Sequence, residues 1–443
     1  MTGSDTPNGQ TTRSPVPTGS YIVQMRPNMK TSTAAKKLKS LSSMEVSTAS
    51  DLLTASESQP ELPSNDTIVL FEKLNIAVMN MTSEQPATAM MSAMEADADI
   101  KTMRPEFYLF ASSSAEDRYA AWVREGLHIL ADGAPAIGRI DSRADAIRVA
   151  SEDASTWGIQ AVHADLSTYS GRGIKLAVLD TGFDLGHPDF VGRNVEARSF
   201  VAGEPVQDVN GHGTHCIGTA AGSRDPVGVI RYGVAYEADI YAGKVLSDSG
   251  SGRESGIFAG MNWAITEGCE VISMSLGRST AVGETFDPIY EDIAVSALDA
   301  GCLIIAAAGN ESQRQFNFIA PVGAPANSPS IMAVAAIDEQ SRVATFSCGG
   351  INSEGGEVNI AAPGVDILSS FPMPRRHGRI NGTSMACPHV AGIAALLAQS
   401  DRNLRGRALW EALRRTAIDV GLPIRDGGAG LVQAPVPPAA LIG

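Results

Sequence analysis

Four stretches of this 443-residue chain are dominated by apolar residues over the length of one strand: "IKLAVLD" at 174–180, "EVISMSLG" at 270–277, "CLIIAAAGN" at 302–310 and "IMAVAAID" at 331–338. A strand with one wet face alternates apolar and polar residues, so continuous apolarity means burial on both faces. Between these runs, "ESGIFAGMNWAITEG" and "DPIYEDIAVSALDAG" carry helical spacing and end on glycine. Strand and helix repeated in this way predict an α/β unit, a parallel sheet flanked by helices. Ligands of such sheets bind at the carboxyl ends of the strands, and Asp180 and Asn310 fall at such ends.

The chain ahead of this unit has a different texture. "SYIVQMRP" (20–27), "TIVLFEKLNIAVMNMT" (67–82) and "RPEFYLFAS" (104–112) read as strands, while "TAAKKLKSLSS" and "ATAMMSAMEADADI" read as short helices. A polar tail over 1–18, a small α+β, ferredoxin-like domain over 19–112, a helical connector over 113–152 and the large unit over 153–443 follow from these patterns. More than one domain is what the length leads one to expect. By pattern alone the small domain is equally an independent binding module.

Charge and composition remove several function classes. The net charge of −15 argues against a nucleic-acid partner, which wants clustered Lys and Arg. No apolar run reaches the roughly eighteen residues that would span a membrane. The opening "MTGSDTPNGQTTRSPVPTGS" has no apolar stretch behind a basic start, so no secretory signal is read there. Five cysteines, an odd number without CxxC spacing, indicate neither a disulfide framework nor a zinc site. A cytoplasmic monomer with reduced thiols is the resulting expectation.

Chemistry concentrates in three segments. In "INGTSMACPHVAGIAALLAQ" (380–399), Gly382 and Thr383 suit a turn and an N-cap, small residues from Val390 onward suit a closely packed helix, and Pro388 is expected in or just past the first turn. Ser384 is there either as a cap or as a nucleophile beside helix N–H groups able to bind an oxyanion. A nucleophile needs a base, and "NGHGTHCIGTAAG" (210–222) offers His212 and His215. Histidines three apart could ligate a metal, but the HExxH spacing and its glutamate are absent, which leaves general-base work. "AVLDTGFDLGHPDF" ends a strand on Asp180, a turn or cap residue unless it orients a histidine.

The three segments, in this order, resemble the Asp, His and Ser signatures of the subtilisin-like serine proteases, and "HGTHC" is similar to the proteinase K branch. Asp, then His, then Ser is the known chain order of subtilisin. The resemblance runs from about Trp157 to the C-terminus and implies a serine endopeptidase working through an acyl-enzyme. In it Asp180 orients the imidazole, His212 shuttles the proton, Ser384 attacks the carbonyl, and Asn310 donates to the oxyanion. Ser275, Leu276 and Gly277 would pair with an extended polypeptide substrate. Ala307, Ala308 and Gly309 would wall the S1 pocket and Gly323 would floor it. With no acid in those segments, a neutral or apolar P1 residue is expected, while Arg278 and "NESQRQFNF" depart from the family pattern and predict a bulkier or cationic rim.

The resemblance also implies that the N-terminal domain is a self-inhibiting propeptide, so that the protein is a self-processing zymogen. No cofactor is expected for the chemistry. Structural calcium is implied near Asp189, with Asp153 as a second ligand, although a carboxylate pair without an ion reads equally well, and the metal stays unassigned. The rival function is a catalytically silent peptide-binding protein on the same fold. Within the enzyme reading, a degradative protease and a maturation protease with one client both remain.

Overall fold

The computed structural model describes residues 15–26, 29–51, 66–80, 88–111 and 155–437. The connector over 113–152 and Asp153 lie outside the described residues. The N-terminal part contains β1 (Pro17–Met25), α1 (Thr31–Ser42), β2 (Glu45–Thr48), β3 (Thr67–Phe71), β4 (Ile76–Asn80), α2 (Thr88–Glu95) and β5 (Ile100–Ala111). Its strands join in the order β5-β1-β4-β3-β2. Val23, Leu38, Ile68, Leu70, Met79 and Met94 form its own apolar core against the helices.

The larger part follows with α3 (Trp157–Ala161), β6 (Lys175–Asp180), β7 (Val195–Ser199), α4 (His212–Ala221), β8 (Asp239–Lys244), β9 (Ser251–Arg253), α5 (Glu254–Thr266), β10 (Val271–Met274), β11 (Leu276–Gly277), α6 (Pro288–Asp299) and β12 (Leu303–Ala307). Then come β13 (Met332–Ile337), β14 (Ile360–Pro363), the antiparallel hairpin β15 (Ile367–Ser370) with β16 (His377–Ile380), α7 (Thr383–Ser400) and α8 (Gly406–Thr416). Seven strands form a sheet in the order β14-β13-β12-β10-β6-β8-β7, with every pairing parallel. All four apolar runs lie in it. "EVISMSLG" divides at Ser275 into a sheet strand and a short edge strand, β11.

Successive residues of β6 show why the runs are apolar throughout. Leu176 and Val178 enter the core that holds α4 and α7, whereas Ala177 and Leu179 enter the opposite core under α5 and α6. Glycines let both α4 and α7 pack closely: a Cβ on Gly392 of α7 would lie 2.8 Å from the Ala220 carbonyl oxygen of α4, and Gly218 of α4 faces β15. At Gly218 a Cβ would come within 2.2 Å of Ser370 Oγ and 2.3 Å of Ser369 Oγ. At Gly392 it would come within 2.5 Å of the Val234 side chain.

Pro388 stands in the second turn of α7, further in than expected. Its missing N–H would have met the Ser384 carbonyl four residues back. That carbonyl instead accepts from Ser275 Oγ at 2.8 Å and Cys216 Sγ at 3.5 Å, so the proline leaves no buried acceptor unmet. The packing at Gly218 generates a test. Gly218→Ala should lower unfolding free energy by about 1–3 kcal/mol, the usual range for overfilling a tight core, read by urea unfolding in a Ser384→Ala background that prevents self-digestion.

Candidate active site

Asp180 is the last residue of β6 and His212 the first of α4, two elements that the sheet and its covering helix bring edge to end. The Asp180 carboxylate, 1% exposed, accepts at Oδ1 from His212 Nδ1 at 2.7 Å and from the Thr181 N–H at 2.7 Å. This bond identifies Nδ1 as the protonated ring nitrogen of a neutral His212. Helix α4 approaches so closely because residue 213 is glycine: a Cβ there would lie 2.3 Å from the Gly182 carbonyl oxygen.

Ser384 is the second residue of α7. Its Oγ lies 3.4 Å from the Ser275 carbonyl oxygen. Cys216, one turn along α4 from His212, has Sγ 3.8 Å from His212 Nδ1 and 3.5 Å from the Ser384 carbonyl, so the histidine and the serine face a common thiol. Burial pushes the Cys216 thiol well above its usual range, with the Asp180 charge adding to the effect, and keeps it protonated.

Thr383 does not cap α7 with its side chain, as the sequence suggested; no side-chain cap is made at that end. Its Oγ1 accepts from the Gly309 N–H at 3.1 Å and donates to Asn310 Oδ1 at 3.0 Å, while its N–H donates to the same oxygen at 2.9 Å. A turn residue at the end of β12 is thereby tied to the residue before the serine.

The expected cleft residues also assemble. Leu276 and Gly277 form β11 and pair with Ala111 and Phe110 of β5. The N–H of Gly323 donates to the Ala308 carbonyl at 2.9 Å, and a Cβ on Gly323 would lie 2.7 Å from the Arg278 carbonyl oxygen. The cationic rim is neutralised, since Arg278 pairs with Glu284 at 2.8 Å and Arg314 turns to Asp426 at 2.7 Å. One acid was overlooked: Glu311 stands against Gly309, where a Cβ would meet its Oε2 at 2.6 Å.

His215 and His389 are ordinary core groups. Burial lowers His215 to about 3 and His389 to about 4, and each bonds a carbonyl, Ile367 and Met385 respectively. Asp189 does not fit calcium. Its Oδ2 accepts from Tyr232 Oη and His377 Nε2, each at 2.7 Å, and its Oδ1 accepts from the Val227 N–H at 3.1 Å, whereas calcium wants six to eight oxygen ligands around it. Asp189 is held at about 2, burial working against the His377 and Tyr232 bonds that lower it. Among the described residues no helix is long and apolar enough to cross a membrane.

Comparison with known proteins agrees with this geometry. The model of the subtilase family matches residues 171–432. Subtilisin E of Bacillus subtilis (strain 168) is 40% identical over 255 residues, 57% of this chain and 62% of that protein. An alkaline protease of Alkalihalobacillus alcalophilus is 39% identical over 304 residues, 68% of this chain and 73% of the relative. Subtilisin Savinase of Lederbergia lenta is 40% identical over 282 residues, 63% of this chain and 96% of its own length. The chain therefore spans a little under two thirds of subtilisin E. Among solved structures, sphericase aligns with a TM-score of 0.55 and 34% identity over 63% of this chain and 98% of that one.

The thiol between the histidine and the serine makes the site sensitive to a soft metal, which prefers sulfur and nitrogen ligands. Titration with HgCl₂ against a chromogenic peptide should abolish activity of the wild type and spare Cys216→Ala. Equal inhibition of both, with protection in Cys387→Ala, would move the sensitive thiol to Cys387.

Proposed function

The chain belongs to the subtilase family, and we propose that it works as a serine endopeptidase made in a form that cuts its own chain. The observation that carries the first half is the 2.7 Å bond from His212 Nδ1 to the buried Asp180 carboxylate, which fixes the ring tautomer and makes Nε2 the nitrogen that would serve Ser384 as base. Ser384 Oγ attacks the scissile carbonyl carbon while His212 Nε2 takes the hydroxyl proton. The negative charge that develops on the carbonyl oxygen would be met by the Asn310 amide and the Ser384 N–H. Collapse of the tetrahedral species breaks the C–N bond, and the imidazolium returns its proton to the leaving amine. Water then repeats the cycle on the acyl-enzyme. No cofactor takes part.

The second half rests on β5. This strand lies between β11 and β9, antiparallel to both, with Tyr108 opposite Arg253, Leu109 opposite Gly252 and Phe110 opposite Ser251. The Ala111 N–H donates to the Gly250 carbonyl at 2.9 Å. An extended segment hydrogen-bonded on both edges is how a protease holds a peptide substrate. The carbonyl of Ser275, the residue before β11, lies 3.4 Å from Ser384 Oγ, and Leu109 of β5 is buried in the core that also holds Val245, Leu246 and Leu276.

Two buried carboxylates support the same docking. Glu106 of β5 accepts from the Ser255 N–H at 2.7 Å at the start of α5 and from Arg253 at 2.8 Å. In the other direction Glu254 accepts from the Phe107 N–H at 2.9 Å and from Arg104 at 2.8 and 2.9 Å, and Arg104 reaches Asp287 as well. Charges buried this deeply are strongly destabilising when one partner leaves, so separation of the two parts requires water to reach both carboxylates.

Mass spectrometry of the purified full chain tests both halves. The wild type should release an N-terminal fragment that contains β5 and label at Ser384 with a fluorophosphonate. Ser384→Ala should stay full length and unlabelled. Identical fragments from both proteins would refute self-cleavage, and an unlabelled but correctly processed wild type would refute the nucleophile. Asn310→Ala should lower kcat by about two to three orders of magnitude with little change in KM, the known effect of losing such a donor in subtilisin.

A further inference from the structure

The helix that presents His212 has a weakness at its start. Its N-cap is Gly211 at φ 96°, which offers no side chain to the free N–H groups of the first turn. The His212 N–H goes to Asn210 Oδ1 at 3.3 Å, and the N-cap and third-residue N–H groups are met by Asp208, three residues upstream of Gly211 and 2% exposed. Asp208 Oδ1 accepts from the Gly211 N–H at 2.9 Å, and Oδ2 accepts from the Thr214 N–H at 2.8 Å and from Thr214 Oγ1 at 2.7 Å.

The same carboxylate reaches the strand that presents Asp180. Its Oδ1 accepts from Thr181 Oγ1 at 3.0 Å, and that hydroxyl oxygen accepts in turn from the Gly213 N–H at 2.8 Å. Thr181 is gripped from its other side. Its N–H is bound to Asp180 Oδ1, and its carbonyl accepts from the fully buried Lys244 ammonium at 2.8 Å. Lys244 is balanced by Asp248 at 2.8 Å and Glu204 at 3.1 Å. The peptide next to Asp180 and the first turn next to His212 thus share one carboxylate, with no donor of that carboxylate left to chance.

We propose that Asp208 is a positioning residue for catalysis: it locks the end of β6 to the first turn of α4 and so sets the Asp180–His212 geometry. Its negative charge at a helix N-terminus also offsets the positive end of the α4 dipole, which otherwise opposes a cationic imidazolium at His212. It touches neither substrate nor reacting atoms. This inference uses the serine-protease reading of the site but not the self-processing reading.

Asp208→Asn keeps the size of the side chain and turns one acceptor into a donor that faces the Thr214 donors or the Gly211 and Thr181 donors. In the purified protein, kcat per active site titrated with fluorophosphonate should fall about ten- to a hundredfold, the effect of a small misplacement of catalytic groups. KM should stay within about twofold, because no substrate contact changes. Thermal unfolding is followed in parallel in the Ser384→Ala background. A lower melting temperature with unchanged kcat per titrated site would make Asp208 a stability residue only and overturn the proposal. Should Asp208→Asn yield no mature protein, Thr181→Val decides. It deletes the hydroxyl link between Asp208 and Gly213 and leaves the Asp208 bonds to Gly211 and Thr214 intact, and an unchanged kcat in that variant would equally overturn the proposal. If positioning holds, labelling of Ser384 by the fluorophosphonate slows in step with kcat, whereas loss of the serine reading itself would appear as no labelling of the wild type.

Discussion

Burying the Asp180 carboxylate costs several kcal/mol unless hydrogen bonds and charge replace its water, and much of the larger domain is arranged around meeting that cost. The carboxylate sits at the carboxyl end of a central strand because a parallel sheet leaves its strand ends, and not its faces, open to ligands. Its partners come from two directions, the Thr181 N–H in its own turn and His212 from a helix that packs across the sheet. That helix can come close only because Gly213 and Gly218 carry no Cβ, and its first turn depends on a carboxylate borrowed from Asp208. Stability and chemistry are therefore drawn from the same contacts.

The cleft poses the complementary problem of unpaired backbone. β9 and β11 are short strands with open edges, and such edges invite another chain. β5 fills both, so these edge backbone groups are paired within the chain itself. The docking is polar at its centre, with Glu106 and Glu254 each accepting backbone and arginine donors across it. These charge pairs lie beside an apolar core in which Ile22, Val69, Phe71 and Val78 of the N-terminal part join Ile257, Phe258 and Met261 of the larger one.

The four strands of "IKLAVLD", "EVISMSLG", "CLIIAAAGN" and "IMAVAAID" were legible because burial on both faces forces a continuous apolar run. The strands "DIYAGK" at β8 and "SGR" at β9 were not, since alanine and glycine carry little periodic signal and their strand state depends on neighbours far away in sequence. Asp180, His212, Asn310 and Ser384 could be read from local patterns around each. Asp208, Lys244 and Glu311 could not. Each is an ordinary charged residue whose importance lies in what stands opposite it, and a carboxylate that caps a helix three residues ahead looks in sequence like any loop acid.

The sequence by itself determined the elements and the candidate groups, because apolar periodicity, glycine at tight turns and the residue types of a proton relay are local properties. It also determined that only folding could unite those groups, with 212 − 180 = 32 residues between the first two and 384 − 212 = 172 between the next. The tertiary structure decided the rest: that Pro388 costs nothing because Ser275 and Cys216 take the Ser384 carbonyl, that Asp189 is satisfied by Tyr232 and His377, and that β5 lies in the cleft. The reason is physical. A hydrogen bond or a buried charge is a relation between two groups, and where both are distant along the chain neither one alone carries the information.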